Sequence, residues 1–266
     1  MEKKRKTLGF ALGAGGACGV AHVGFLRAME EAGIYPDYIA GCSMGSVVGS
    51  AYAFGMSVDE IQKAVYKLRL RNLVRPTLRR GGLFSSRRIG KIMSKYMGNP
   101  DFTDLKIPFT CIATDLISQK VVKLSTGKVL ESVTASSCIP MVFRPVKKDG
   151  ALLIDGGVLT RVPYKEVKEM GADVVVAVDV LGWRPSRKEN PSTIGVLLGM
   201  IDLTDNVRTQ ANKERDSAFY DVWVEPELGE MNQYAFKQFD LAYKRGYEAG
   251  KRHVEEIKKA LELDER

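Results

Sequence analysis

The chain reads as an α/β fold, a mainly parallel sheet sandwiched by helices in a three-layer α/β/α arrangement. Short apolar runs suited to strands alternate along the chain with helical stretches, as in a parallel sheet wound by crossover helices. One run, Val174-Val175-Val176, is unbroken valine, which fits a strand covered on both faces. The 266 residues, 45% hydrophobic and 27% charged, suffice for one substantial core. Residues 1–266 are therefore expected to form a single domain.

Taken in order, Leu8–Leu12 is the first expected strand, followed by a glycine loop and an apolar helix over Val20–Met29. Tyr38-Ile39-Ala40 reads as a strand end and Ser46–Phe54 as the start of an apolar helix. Ser57 and Glu60, three residues apart, form a plausible capping box for the helix after that. Further strands are expected at Phe109–Ala113, Val121–Leu124, Leu152–Ile154, Val174–Val178 and Val222–Val224. Trp183–Ser192, polar and holding two prolines, reads as a surface loop, and Tyr247–Leu263, rich in Lys and Glu, as a surface helix.

Chemistry enters at Gly41-Cys42-Ser43-Met44-Gly45, a Gly-x-Ser-x-Gly pattern between a strand and a helix. Glycines are needed there because a nucleophile's strained turn brings the adjoining strand and helix too close for side chains. Ser43 would sit at a helix N-terminus, where free N–H groups favour developing negative charge. The bland alternative is a serine that only caps a helix.

A base for Ser43 is scarce, since the chain holds only His22 and His253. His253 reads as a solvated side chain of the terminal helix and His22 as a packed, hydrogen-bonded core residue. A Ser-His-Asp triad is thus disfavoured. Asp155 is the alternative: the strand Ala151-Leu152-Leu153-Ile154 delivers it into the turn Gly156-Gly157. An aspartate of ordinary pKa is a poor base, so this role requires desolvation or a neighbouring like charge. Ordinary Asp-Gly turn chemistry is the competing reading.

The loop Gly13-Ala14-Gly15-Gly16-Ala17-Cys18-Gly19 follows the first strand, and its backbone N–H groups can cradle an oxyanion. A dinucleotide site begins the same way. Here, however, Cys18 occupies the place of the third glycine, and the next strand ends in Gly41-Cys42-Ser43 instead of a ribose-binding acid.

Gly15-Gly16-Ala17-Cys18-Gly19, Gly41-Cys42-Ser43-Met44-Gly45 and Asp155-Gly156-Gly157 occur in the order and spacing of the patatin-like phospholipase family, which the chain resembles over most of its length. Ala21-His22-Val23-Gly24, Ala113-Thr114-Asp115 and Ala135-Ser136-Ser137-Cys138-Ile139-Pro140 also look like family segments, as in its compact bacterial members. The resemblance implies a Ser-Asp acyl hydrolase, with Ser43 as nucleophile, Asp155 as its base and Gly15, Gly16 and Ala17 in the oxyanion loop. It implies phospholipid, lysophospholipid or related ester substrates, an acyl-enzyme, and no metal or organic cofactor. Cys18 stands where the family loop commonly carries Arg or Lys. That departure keeps open a non-catalytic lipid-binding or regulatory protein that retains the fold, and acyl transfer to an acceptor other than water is a third reading.

Nine Lys/Arg and no Asp/Glu lie between Lys67 and Lys91, which accounts for the net charge of +8. Arg75, Arg79, Arg80, Arg87 and Arg88, interleaved with leucines, are candidates for contact with an anionic membrane surface. A solvated charged face is the alternative. No nucleic-acid module is recognisable, so no nucleic-acid partner is expected. Cys18, Cys42, Cys111 and Cys138 lack metal or redox spacing and read as reduced, buried thiols, and side-chain alternation is expected to turn Cys42 away from Ser43. Lys3-Lys4-Arg5-Lys6 precedes an apolar run that imitates a signal peptide, but cleavage there would remove the glycine loop. A cytoplasmic protein in reversible contact with membrane is expected.

Overall fold

The computed structural model describes residues 5–68, 87–183, 193–231, 233 and 236–262. Among these, the strands are β1 (Leu8–Leu12), β2 (Tyr38–Cys42), β3 (Phe109–Asp115), β4 (Lys120–Leu124), β5 (Val146–Lys148), β6 (Ala151–Asp155), β7 (Val174–Val178) and β8 (Val222–Val224). The helices are α1 (Ala21–Glu31), α2 (Met44–Phe54), α3 (Val58–Tyr66), α4 (Arg87–Met97), α5 (Val129–Ser136), α6 (Tyr164–Glu169), α7 (Thr193–Arg215) and α8 (Phe239–Ala260).

The strands form one sheet of order β5-β6-β3-β2-β1-β7-β8, with β4 also paired to β3. The run β3, β2, β1, β7, β8 is parallel, whereas β4 and β6 are antiparallel to β3. The mainly parallel sheet expected from the sequence is present, with an antiparallel flank.

Strand alternation sends two sets of side chains to opposite faces. Leu8, Phe10 and Leu12 join Phe109, Cys111, Val174 and Val176 in the main core under α1–α5 and α8. Phe10 meets Phe25 of α1 edge-on at 5.2 Å. The other face carries Ala11, Ala40, Val175 and Ala177 against Tyr164 and Val167 of α6. Sheet and two helical layers follow directly.

The terminal helix read as a surface element in fact lays one face on α1. A Cβ on Gly246 would lie 1.9 Å from the Ala21 carbonyl oxygen, and one on Gly24 would lie 2.0 Å from that of Tyr243. The two backbones therefore touch. The capping box expected at α3 is formed: Ser57 Oγ accepts from the Glu60 N–H at 3.3 Å, and Glu60 accepts from the Ser57 N–H at 2.9 Å.

Candidate active site

The position of the site follows from how three strands share β3. β4 lies along one edge of β3 from Cys111 to Asp115, so β2 and β6 must both use the other. β2 runs parallel to β3 and ends with Cys42 opposite Ile112. β6 runs antiparallel and ends with Asp155 opposite the next residue, Ala113. Their C-terminal ends meet head to head, and the residues there touch: Ser43 Oγ donates a 2.6 Å hydrogen bond to Asp155 Oδ2.

Ser43 has φ 52° and ψ −121°, a region that side chains rarely adopt and that surrounding structure must enforce. Its carbonyl is held by the Ser46 N–H at 2.9 Å and the Ser46 hydroxyl at 2.6 Å. Its own N–H donates to Ser136 Oγ of α5 at 3.0 Å. Neither flanking glycine could carry a side chain. A Cβ on Gly41 would lie 2.6 Å from Ser46 Cα, and one on Gly45 would lie 2.1 Å from the Leu12 carbonyl oxygen. Gly156 meets the same limit, its Cβ falling 2.6 Å from the Ile112 carbonyl oxygen. Asp155 is anchored at the backbone by an N–H bond of 2.9 Å to Cys138.

The glycine loop packs directly on this turn, since a Cβ on Gly45 would also come within 2.6 Å of the Gly13 carbonyl oxygen. Gly13 and Ala14 donate their N–H groups to Val178 and Arg161 carbonyls at 3.0 and 2.9 Å. His22, fully buried in α1, donates from Nε2 to the Gly13 carbonyl at 2.8 Å. Burial pushes its pKa down to about 4 against the opposing pull of that bond and of Asp179, so it is a neutral scaffold group, as the sequence indicated. His253 bonds the Ala249 carbonyl within α8 at 2.8 Å.

Ala17 donates its N–H to the Gln233 carbonyl at 2.8 Å, so that group is already committed and is not a free oxyanion donor. The N–H groups of Gly15 and Gly16 have no hydrogen-bond partner among the described residues. Cys18 is buried, with its Sγ 3.7 Å from the Met231 carbonyl oxygen, so the residue that departs from the usual loop pattern faces the core beside Met231.

The family model of the patatin-like phospholipases matches residues 10–168, which contain the glycine loop, the Ser43 turn and Asp155. The chain belongs to the patatin-like phospholipase family. An uncharacterized NTE family protein of Mycobacterium bovis is 36% identical over 187 residues, covering 68% of this chain and 52% of that protein. Lysophospholipase nte1 of Aspergillus fumigatus is 28% identical over 288 residues, covering 95% of this chain and 18% of that protein. The chain thus spans about half the length of the first relative and under a fifth of the second. The crystal structure of VipD from Legionella pneumophila shares the fold, with a TM-score of 0.62 at 12% identity over 96% of this chain and 67% of that one.

In this patatin-like chain the electrostatics around Asp155 are distinctive. Burial raises its pKa from 3.8 to about 6, opposed by hydrogen bonds from Ser43 and Gly157 and reinforced by the Asp205 charge. The Gly157 N–H reaches Asp155 Oδ1 at 2.9 Å. Cys42 Sγ lies 4.0 Å from the same oxygen. Strand alternation does turn this side chain from Ser43, but toward the carboxylate. Burial and that carboxylate keep the thiol protonated, its pKa well above the ordinary value.

Sequence reasoning missed the group that holds the Asp155-Gly156-Gly157 turn from outside. Arg208 of α7 donates to the Gly157 carbonyl at 2.8 Å, to the Val158 carbonyl, and to Asp205 at 2.6 Å. Arg161, buried on the same side, binds Asp205 at 2.7 Å, Asp179 at 3.1 Å and Asn206. Ser136 is legible in the sequence, because it lies in a segment that resembles the family.

Of the basic candidates, Arg75, Arg79 and Arg80 lie outside the described residues, as do residues 184–192 of the expected loop. Arg87 is exposed and Arg88 half-buried at the start of α4, which packs on α5 where Gly90 faces Thr134. Among the described residues, no helix is long and apolar enough to cross a membrane.

Proposed function

We propose that the chain hydrolyses lipid acyl esters with Ser43 as nucleophile and Asp155 as its general base. The observation that carries this reading is the 2.6 Å hydrogen bond from Ser43 Oγ to a buried carboxylate. Ser43 Oγ attacks the ester carbonyl carbon while its proton passes to Asp155 Oδ2. The carbonyl electron pair moves onto oxygen, which accepts hydrogen bonds from the Gly15 and Gly16 N–H groups. The tetrahedral species collapses, the alcohol leaves with the proton from Asp155, and the acyl group remains on Ser43. Water then gives its proton to Asp155 and attacks the acyl carbonyl, releasing fatty acid and restoring the serine. No metal or organic cofactor takes part in this scheme.

The carboxylate's raised proton affinity, near 6, suits a base that must take and return a proton near neutral pH. Family membership supports a phospholipid or lysophospholipid substrate, and the Aspergillus relative, a lysophospholipase, points the same way. Four free, buried cysteines support a reducing, cytoplasmic setting.

The test is fluorophosphonate labelling together with hydrolysis of a short-chain ester and of lysophosphatidylcholine. Wild type is expected to label at Ser43 and to turn over. Ser43→Ala should lose both signals and Asp155→Asn should lose turnover, each with an unchanged circular dichroism spectrum. A folded wild type that neither labels nor hydrolyses would end the proposal.

A further inference from the structure

We propose that Ser136 is a positioning residue for the nucleophile: by accepting the Ser43 N–H, its hydroxyl oxygen holds Ser43 Oγ in line with Asp155. This rests on the hydrolase reading above and names the side chain that keeps the reacting pair aligned.

The Ser43 backbone is gripped from two elements. Ser46, in the helix that Ser43 begins, binds the Ser43 carbonyl through its N–H at 2.9 Å and its hydroxyl at 2.6 Å. Those bonds belong to the turn itself. The Ser43 N–H instead crosses to another helix, donating at 3.0 Å to Ser136 Oγ at the last position of α5. Ser136 is fully buried and Ser43 nearly so, so water is no substitute partner for either group. With carbonyl and N–H both held, each end of a residue in a rarely adopted conformation is fixed, and with it the direction in which Cβ carries Oγ to Asp155. A serine nucleophile's own N–H can also serve its oxyanion. Here it is spent on Ser136, and that task falls to Gly15 and Gly16.

The same stretch reaches the other member of the pair. Two residues beyond Ser136, the Cys138 carbonyl accepts the Asp155 N–H at 2.9 Å. One short crosspiece thus touches the backbone of both reacting residues. Its shape is set by its own bonds, from the Ser137 N–H to Val133 at 3.0 Å and from the Phe143 N–H to Ile139 at 2.9 Å.

Helix α5 supplies the comparison. The Thr134 hydroxyl turns back to the Leu130 carbonyl at 2.6 Å, the usual resort of a hydroxyl inside a helix. Ser132 lies one turn before Ser136 on the same helix face. It is equally buried, and its hydroxyl oxygen has no hydrogen-bond partner among the described residues. Of these three hydroxyls, that of Ser136 reaches the nucleophile.

Ser136→Ala and Ser132→Ala therefore remove the same atom from the same helix face, one with a bond to lose and one without. Hydrolysis of a short-chain ester and the rate of fluorophosphonate labelling compare both with wild type. Ser136→Ala should lower kcat roughly 10–100-fold and slow labelling to a similar extent, with KM within about twofold of wild type. Ser132→Ala should keep the wild-type kcat. Circular dichroism and melting check the fold. Ser136→Cys, which fills the same space with a weak acceptor, serves if Ser136→Ala is unstable and should show the same loss.

A wild-type kcat in Ser136→Ala, or equal losses in Ser136→Ala and Ser132→Ala, overturns the positioning role and leaves the hydrolase reading standing. A folded wild type that neither labels nor hydrolyses ends both.

Discussion

In Asp155→Asn an amide of nearly the same shape replaces a buried carboxylate that the fold does not fully compensate. The folded chain holds the Asp155 proton to about pH 6, against 3.8 for an ordinary aspartate. A carboxyl with a raised pKa contributes stability that is fully present below 3.8 and is lost as pH rises through about 6. Converted at 1.36 kcal/mol per pH unit, the difference makes ionised Asp155 destabilising by about 3 kcal/mol at neutral pH. The asparagine carries no such penalty and keeps an oxygen for the Gly157 N–H. It should therefore be inactive yet more stable than wild type by about 3 kcal/mol at about pH 7.5, and close to wild type at about pH 4. Urea unfolding followed by far-ultraviolet circular dichroism at the two pH values measures both gaps. Equal gaps at both, or a less stable variant at neutral pH, would refute the claim that desolvation dominates at this position. The same titration predicts that kcat/KM of wild type falls as pH drops below about 6, where the proposed base becomes protonated.

Ser43→Gly removes the proposed nucleophile but relieves a positive φ, so it should lose fluorophosphonate labelling while gaining about 1 kcal/mol in urea unfolding. Arg161→Ala leaves fully buried Asp179 and neighbouring Asp205 without their shared cation. It should cost about 3–5 kcal/mol, read from the same unfolding curves. Arg208→Ala releases the Gly157 and Val158 carbonyls without touching Ser43, and is expected to lower kcat roughly 10–100-fold with little change in KM. An unchanged kcat in that variant would show that α7 does not position the Asp155 turn.

Much of this was legible in the chain because the signals are local. β1, β7 and β8 carry apolar runs whose ends coincide with the strands, and the Gly41–Gly45 pattern specifies its own sharp turn. β5 was not legible: Val146–Lys148 is three residues long, two of them lysines, on the sheet's edge, where a strand needs little apolar surface. Ala17 sits in a loop whose composition suits an oxyanion cradle, and only the distant Gln233 carbonyl reveals that its N–H is taken. Arg161 and Arg208 were hidden for a related reason. Arg161 lies 44 residues from Asp205, and Arg208 51 from Gly157. On α7, which exposes apolar residues such as Met200 and Leu203, buried charges do not follow the usual amphipathic rule. Cys42 illustrates the limit of alternation, which predicts the side a residue faces but not what waits there.

The consecutive pairing of Cys42 with Ile112 and of Asp155 with Ala113 makes β3 a ruler for the chemistry, on which the serine and the carboxylate are read off at adjacent marks. Their separation is set by one peptide unit of a strand that donates no reacting atom. Side chains elsewhere in the sheet are then free to change so long as that register holds, whereas a slip by a single residue would part the pair and turn β6 over, carrying the carboxylate to the opposite face.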